Sequence, residues 1–319
     1  MSGVASPRSK VVGVLLTAIL VAAVPSLWFG WNAVGDMQRE VEAGRLRLAR
    51  LAATQADRVV TEAFFEIELM TQAVSLEPDE LDLESQATAL RPIHAQASTF
   101  HAGVMLLDED GEIVLQEPRG RVADVNLDQV LTEAAETDDR AVSRPWLDPD
   151  SGHVVAVLSV PLYAPNSERI GTMAGVLDLA EPLISDLIVP AARLGPSGHA
   201  DLVDERGAVL ASTNPGHLLT PGDHPDFYAS TAGSRTPRVE RVAHTPSIND
   251  LDQSLWHIMA YAPLQNAPWG VAMGTNAEET LKPVRRLQHR LLMLGSASVA
   301  TLVLGIGLAV RYIPRRRDE

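Results

Sequence analysis

The sequence predicts an α+β fold: one long helix leading into two stacked antiparallel-sheet modules, flanked by two transmembrane helices. Three observations predict it. A strand–turn–strand pattern occurs twice, 96 positions apart. A helical apolar periodicity runs from Asp36 to Leu76 ahead of both copies. Two uncharged stretches, one near each end, are long enough to cross a hydrocarbon core of roughly 30 Å as helices.

Val11 to Gly35 is the first of these stretches and contains no charged residue. Arg8 and Lys10 precede it, in a tail of residues 1–10, and Trp28 and Trp31 sit where an interfacial aromatic belt belongs. The run exceeds the apolar core of a cleaved signal peptide, so residues 11–35 read as an uncleaved anchor. Residues 36–76 read as a stalk helix. Val41, Leu48, Leu51, Ala52, Val59, Ala63, Ile67 and Met70 recur at three-, four- and seven-residue steps, with Arg and Glu between them. The upper part is expected to pack on its own sheet. The membrane-proximal part is expected to pair with a second copy in a homodimer.

Residues 77–190 form the first predicted module. An acidic loop, Glu77 to Glu84, leads to a helix over 87–99 and a hairpin over 102–107 and 112–116. The hairpin turns at Asp108-Glu109-Asp110-Gly111, an acidic turn ending in the Asp-Gly pair that favours such junctions. A short helix is expected over 127–136. Three strands follow, over 141–146, 154–161 and 170–179, with turns at Asp148-Pro149-Asp150-Ser151-Gly152 and Ala164-Pro165-Asn166-Ser167.

Residues 191–279 form the second module, because the first one's pattern returns there. Leu106-Leu107-Asp108-Glu109-x-Gly111-x-Ile113 recurs as Leu202-Val203-Asp204-Glu205-x-Gly207-x-Val209, and Val160-Pro161-Leu162 as Ala262-Pro263-Leu264. A stretch rich in Pro, Gly, His, Ser and Thr, Asn214 to Asp252, reads as a long loop. Residues 280–290 make a basic linker helix, 291–310 a second uncharged span, and 311–319 a basic tail.

Composition excludes several functions. There is no Cys, hence no disulfide, thiolate metal site or Cys nucleophile. The net charge is −15, and the two tails are cationic, so the body between the spans is more acidic than the total. Nucleic-acid binding needs a basic face and is not expected. The nine His residues form no H-E-x-x-H and no close pair at ligand spacing along the chain. Gly195-Pro196-Ser197-Gly198 is no nucleophile elbow, and Asp148 to Gly152 lacks the distant Glu of a Ca²⁺ loop. No enzymatic activity, cofactor or metal is expected.

Ser143-x-Pro145-Trp146-x-Asp148-x-x-Ser151-Gly152, Ser159-Val160-Pro161-Leu162 and Gly175-Val176-Leu177-Asp178-Leu179 together resemble the Cache family, PAS-like extracytoplasmic sensor domains of prokaryotic receptors. The likeness is to the double-Cache form and covers most of residues 37–290. It implies a small-molecule sensor in the cell membrane, with both termini cytoplasmic, residues 77–190 as the membrane-distal module, residues 191–279 as the membrane-proximal module, and the ligand in the distal one. In the family's amino-acid receptors a helix cluster, Arg-x-Trp-Tyr, clamps the ligand carboxylate. The matching positions here are Asp128, Val130 and Leu131, so that clamp is absent. The hairpin aromatic is kept as Trp146, its Asp as Asp148 and the strand Asp as Asp178. This half-site suits a cation or an amine. Arg144, Tyr163, His101 and His94 are further candidates. Each has a plainer reading: Asp148 as a turn former, Trp146 as filling for the concave face, Asp178 as a solvent-facing strand end.

The expected output is a change passed to a signalling partner in the membrane or cytoplasm. Gly295, Gly305 and Gly307 would let the second span pack closely on that partner. Continuation of the chain into an output domain is the other reading. A scaffold contacting another envelope protein through the 214–252 stretch is the rival to sensing. Occupancy by a metabolite discriminates the two.

Overall fold

The computed structural model describes residues 7–72, 74, 83–118, 139–164, 166, 167, 169–182, 184, 186, 195–243 and 256–312. The helix predicted over 127–136, the boundary near residue 190 and positions 128, 130 and 131 lie outside them.

Contacts divide the chain into residues 44–277 and a second unit of residues 1–43 with 278–319. Helix α1, Pro7–Thr71, runs for 65 residues and contributes to both. Within 44–277 it presents one stripe to the core: Ala49, Ala52, Ala53, Ala56, Val60, Ala63, Phe64, Ile67 and Met70 are all buried there. The spacing is the three- and four-residue step of one helix face, and its many Ala residues let a sheet approach closely. Helix α2, Leu83–His94, follows. It starts earlier and stops sooner than the 87–99 expected; Pro92, inside its last turn, has no N–H to give back to the Thr88 carbonyl, and residues 95–99 leave the helix.

The distal sheet contains β1 (Val104–Leu107), β2 (Ile113–Glu117), β3 (Ala141–Val142), β4 (Trp146–Leu147), β5 (Val154–Tyr163) and β6 (Arg169–Asp178). The order is β2-β1-β6-β5-β3, with β4 also paired to β5. The single strand expected over 141–146 is split in two by Ser143-Arg144-Pro145, where Pro145 has no N–H to give to a ladder. The proximal sheet contains β7 (His199–Asp204), β8 (Val209–Ser212), β9 (Arg238–Ala243), β10 (Trp256–Pro263) and β11 (Trp269–Asn276), in the order β8-β7-β11-β10-β9. The two orders correspond strand for strand.

The internal repeat is equally visible in the turns. Asp108 Oδ1 accepts the backbone N–H groups of Asp110 and Glu112, and Asp204 Oδ1 accepts those of Arg206 and Ala208. Gly111 and Gly207 close these turns at φ 85° and 83°, a conformation glycine adopts without a Cβ penalty. The register shifts at Leu106/Leu107 and again at Leu202/Val203.

One apolar core joins α1 to a face of each sheet, including Leu106, Leu158 and Met173 from the distal one and Leu202, Ala260 and Trp269 from the proximal one. Two carboxylates on α1 tie it to both modules. Glu66 accepts from the Ser98 and Thr99 backbones and the Ser98 hydroxyl. Asp57 accepts from the Gln265 and Asn266 backbones and the Asn266 side-chain amide. Asp57→Ala strands those donors at a solvated rim, so a loss of about 1–2 kcal/mol is expected, read as a lowered urea midpoint. Asp57→Asn, which keeps an acceptor, should recover part of it.

The described part of the stretch 214–252, residues 214–243, is not the long loop the composition suggested. It holds a 3₁₀ turn at Pro215–His217, helix α3 (Pro225–Ser234) and strand β9. Pro225 stands at the start of α3, where a missing N–H costs nothing, and Arg235 ends it in the left-handed conformation. Turn-forming residues thus mark the ends of regular elements here.

In the second unit, helix α4 runs from Ala277 to Tyr312. Among the described residues one helix, Ala277–Gly305, is long and apolar enough to cross a membrane, and none of its apolar window is buried. This is the second of the two expected spans. Residues 11–35, the first expected span, lie within the helical run of α1.

Candidate functional site

Side chains alternate across a strand, so the residues facing away from α1 define a second face on each sheet. On the distal sheet that face is an apolar floor of Met105, Leu107, Val155, Val157, Ala174 and Val176, against which Trp146 and Ala102 pack half-buried. Val155 is the register partner of Trp146 on one side and of Asp178 on the other. Trp146, Val155 and Asp178 therefore form one row across three strands.

The turn between β4 and β5 places Trp146 in that row. Asp148 accepts from the Asp150 and Ser151 backbones and, at 2.5 Å, from the Ser151 hydroxyl. Gly152 completes the turn at φ 70°. The Asp148 carboxylate is thus engaged in the turn. At the end of β6, Asp178 accepts the Ala180 N–H at 2.8 Å, and its other oxygen lies 2.7 Å from His153 Nδ1. An ionised carboxylate can only accept, so the proton of this contact sits on Nδ1. His153 is absent from the sequence reading. Its signal is the alternation 153, 155, 157 at the start of β5, which puts it on the face of the floor.

The other candidates are placed as follows. His101 Nδ1 pairs with Glu181 at 3.2 Å, three residues beyond Asp178 and so at the same end of the sheet. Arg144 lines a crevice of about 130 Å³ with Pro145, Asp204, Glu205, Arg206 and Trp269, between the two modules. Tyr163 ends β5, eight residues from Val155 and so roughly 26 Å along the strand. His94 Nε2 donates to the Phe100 carbonyl at 2.8 Å. The structure brings together Trp146, Asp178 and His153, with the His101–Glu181 pair nearby. A ring and carboxylates at the edge of an apolar floor can hold a cation with an apolar body.

On the proximal sheet the corresponding face carries polar groups. Asp201, on β7, is buried; it accepts the Ser212 hydroxyl at 2.5 Å and the hydroxyl of Tyr228 from α3. Burial, and then the Asp201 carboxylate, push the Tyr228 phenol well above its ordinary value of 10. Burial likewise pushes Tyr261, on the same face, up to about 12. Three of the nine His residues, which show no set along the chain, meet here in space: His199, His224 and His257.

A family model described as a Cache domain matches residues 34–284. The chain belongs to the Cache domain family. Comparison with curated proteins gives no match. Among solved structures, the Cache fold is shared with chemoreceptor ligand-binding domains. That of the Pseudomonas aeruginosa PAO1 amino acid chemoreceptor PctC, in complex with GABA, is 19% identical, with a TM-score of 0.55 over 73% of this chain and 99% of that one. That of Pseudomonas fluorescens CtaA with L-leucine is 16% identical, with a TM-score of 0.56 over 77% and 99%. That of Campylobacter jejuni Tlp3 with 4-methylisoleucine is 15% identical, with a TM-score of 0.55 over 77% and 94%. The double-Cache reading of the sheet motifs is borne out, and such domains are non-enzymatic signal-input units.

Proposed function

We propose that this Cache protein is the extracytoplasmic input unit of a two-span membrane receptor, and that it takes an amine or other cationic small molecule on the distal sheet. The row Trp146–Val155–Asp178, with His153 against the carboxylate, is the observation that carries the reading. The Trp146 ring offers a cation–π face. Asp178 uses one oxygen for His153 and the other for the Ala180 N–H, and each oxygen retains acceptor capacity for an ammonium. The chemoreceptor domains that share the fold were solved with amino acids, which carry such a group. Residues 11–35 supply the first span, α4 the second, and both termini are cytoplasmic. Ligand binding shifts an existing equilibrium by no more than its differential affinity for the two states.

A thermal-shift screen of a metabolite library against the full chain in detergent tests this. Asp178→Asn is expected to weaken the best amine hit by about 1.5–3 kcal/mol, roughly 10- to 150-fold. An anionic ligand, or an unchanged affinity in Asp178→Asn, defeats the reading.

A further inference from the structure

We propose that the proximal module holds a second site, a three-histidine centre for a late first-row transition-metal ion of the copper and zinc class. Its ligands are His199, His224 and His257. They come from three different elements: the first residue of β7, the residue preceding α3, and the second residue of β10. One potential donor atom from each lies within 4.8 Å of the others. The ring centroids form a triangle with sides of 4.9, 5.4 and 5.4 Å. Nitrogens about 2.05 Å from a tetrahedral Zn²⁺ lie about 3.3 Å apart, so side-chain rotation closes the triangle onto an ion. His224 Nε2 and His257 Nδ1 already lie 3.1 Å apart, sharing a hydrogen bond whose proton an ion would displace.

A bland alternative is a set of core histidines satisfied by one another. His199 argues against it. Its Nδ1 is 3.4 Å from the Ser197 carbonyl, a long hydrogen bond that puts the proton on Nδ1. The lone pair is then on Nε2, which is buried without a hydrogen-bond partner among the described residues. Metal-bound histidines are held in this way, one nitrogen donating to a backbone carbonyl and the other facing the ion. The nearby carboxyl group is occupied elsewhere: Asp201 serves Tyr228 and Ser212. Gly274 supplies the room. It is the register partner of both His199 and Met259, and a Cβ there would lie 2.3 Å from His199 Nε2 and 2.4 Å from Met259 Sδ. The Met259 thioether therefore faces the same spot and can act as a fourth, soft donor, which suits copper.

Chelator-stripped full chain in detergent, titrated with Zn²⁺ and with Cu⁺, is expected to take one ion per chain and to gain thermal stability with each. His199→Gln and His257→Gln should each lower metal affinity at least 100-fold and remove the thermal shift, while His153→Gln in the distal module leaves both unchanged. Should the variants fail to fold, X-ray absorption on the wild type decides, three imidazoles being expected in the outer-shell scattering. Met259→Leu should weaken Cu⁺ at least tenfold and spare Zn²⁺; equal retention of both overturns the thioether's part. Metal uptake that survives in His199→Gln and His257→Gln, or a wild-type spectrum without imidazole scattering, overturns the site.

Discussion

Replacing Trp269 with Ala is expected to lower the unfolding free energy by about 3–5 kcal/mol, the range for deleting a large aromatic ring from a core that relaxes only partly. Trp269 opens β11 and is 1% exposed. It belongs to the core that α1 shares with both sheets, so the cavity would open among packed elements that can only partly close over it. The backbone around it is also committed, since its carbonyl accepts the Leu264 N–H at 2.9 Å and its strand pairs it with Asp204. Urea unfolding of the full chain in detergent, followed by the far-ultraviolet signal, measures the loss. Trp269→Phe should recover more than half of it. A loss under about 1 kcal/mol in Trp269→Ala would show that the ring does not hold the common core together.

Asp201→Ala should be nearly as damaging, at about 2–5 kcal/mol, through a different mechanism. The substitution removes little volume but leaves the Tyr228 hydroxyl, fully buried, and the Ser212 hydroxyl without their acceptor. Each stranded donor costs about 1–3 kcal/mol. Asp201→Asn, which keeps one acceptor oxygen, should cost less than half as much. The pair also sets a pH dependence. The folded-state value of Tyr228 is raised above 10 by burial and by Asp201, so its contribution is fully present below pH 10 and is lost as pH rises through the raised value. A urea midpoint in Asp201→Ala equal to that of Asp201→Asn would mean that the two hydroxyls find other partners.

Much of the architecture was legible because it rests on local rules. Asp and Gly in the turns at 108–111 and 204–207 act through the backbone two to four residues away, so their repetition could be read as two copies of one module. The stripe on α1 is periodic, and periodicity needs no partner to be visible. The stretch 214–252 was misread for a related reason. Pro225 and the Ser, Thr and Gly residues around α3 are turn-formers by propensity, but Phe227 and Tyr228 are buried beneath the helix and hold it on the sheet. Tertiary burial outweighed composition.

The candidate sites divide along the same line. Trp146 and Asp178 were found through the motifs of a resembling family, and Asp148 shows the limit of that route, since one carboxylate at a turn has the same sequence whether it binds a ligand or folds the turn. His153 and the three proximal histidines carried no motif at all. His199, His224 and His257 are separated by 25 and 33 positions in the chain. They meet because β11 pairs with β7 on one side and β10 on the other, while α3 lies over that face. The sequence by itself determined the modules, their turns and the helix that serves both, because those depend on neighbours within a few residues. Only the tertiary structure decided which side chains share a face across strands distant in sequence, because strand order and register, not spacing along the chain, set those distances.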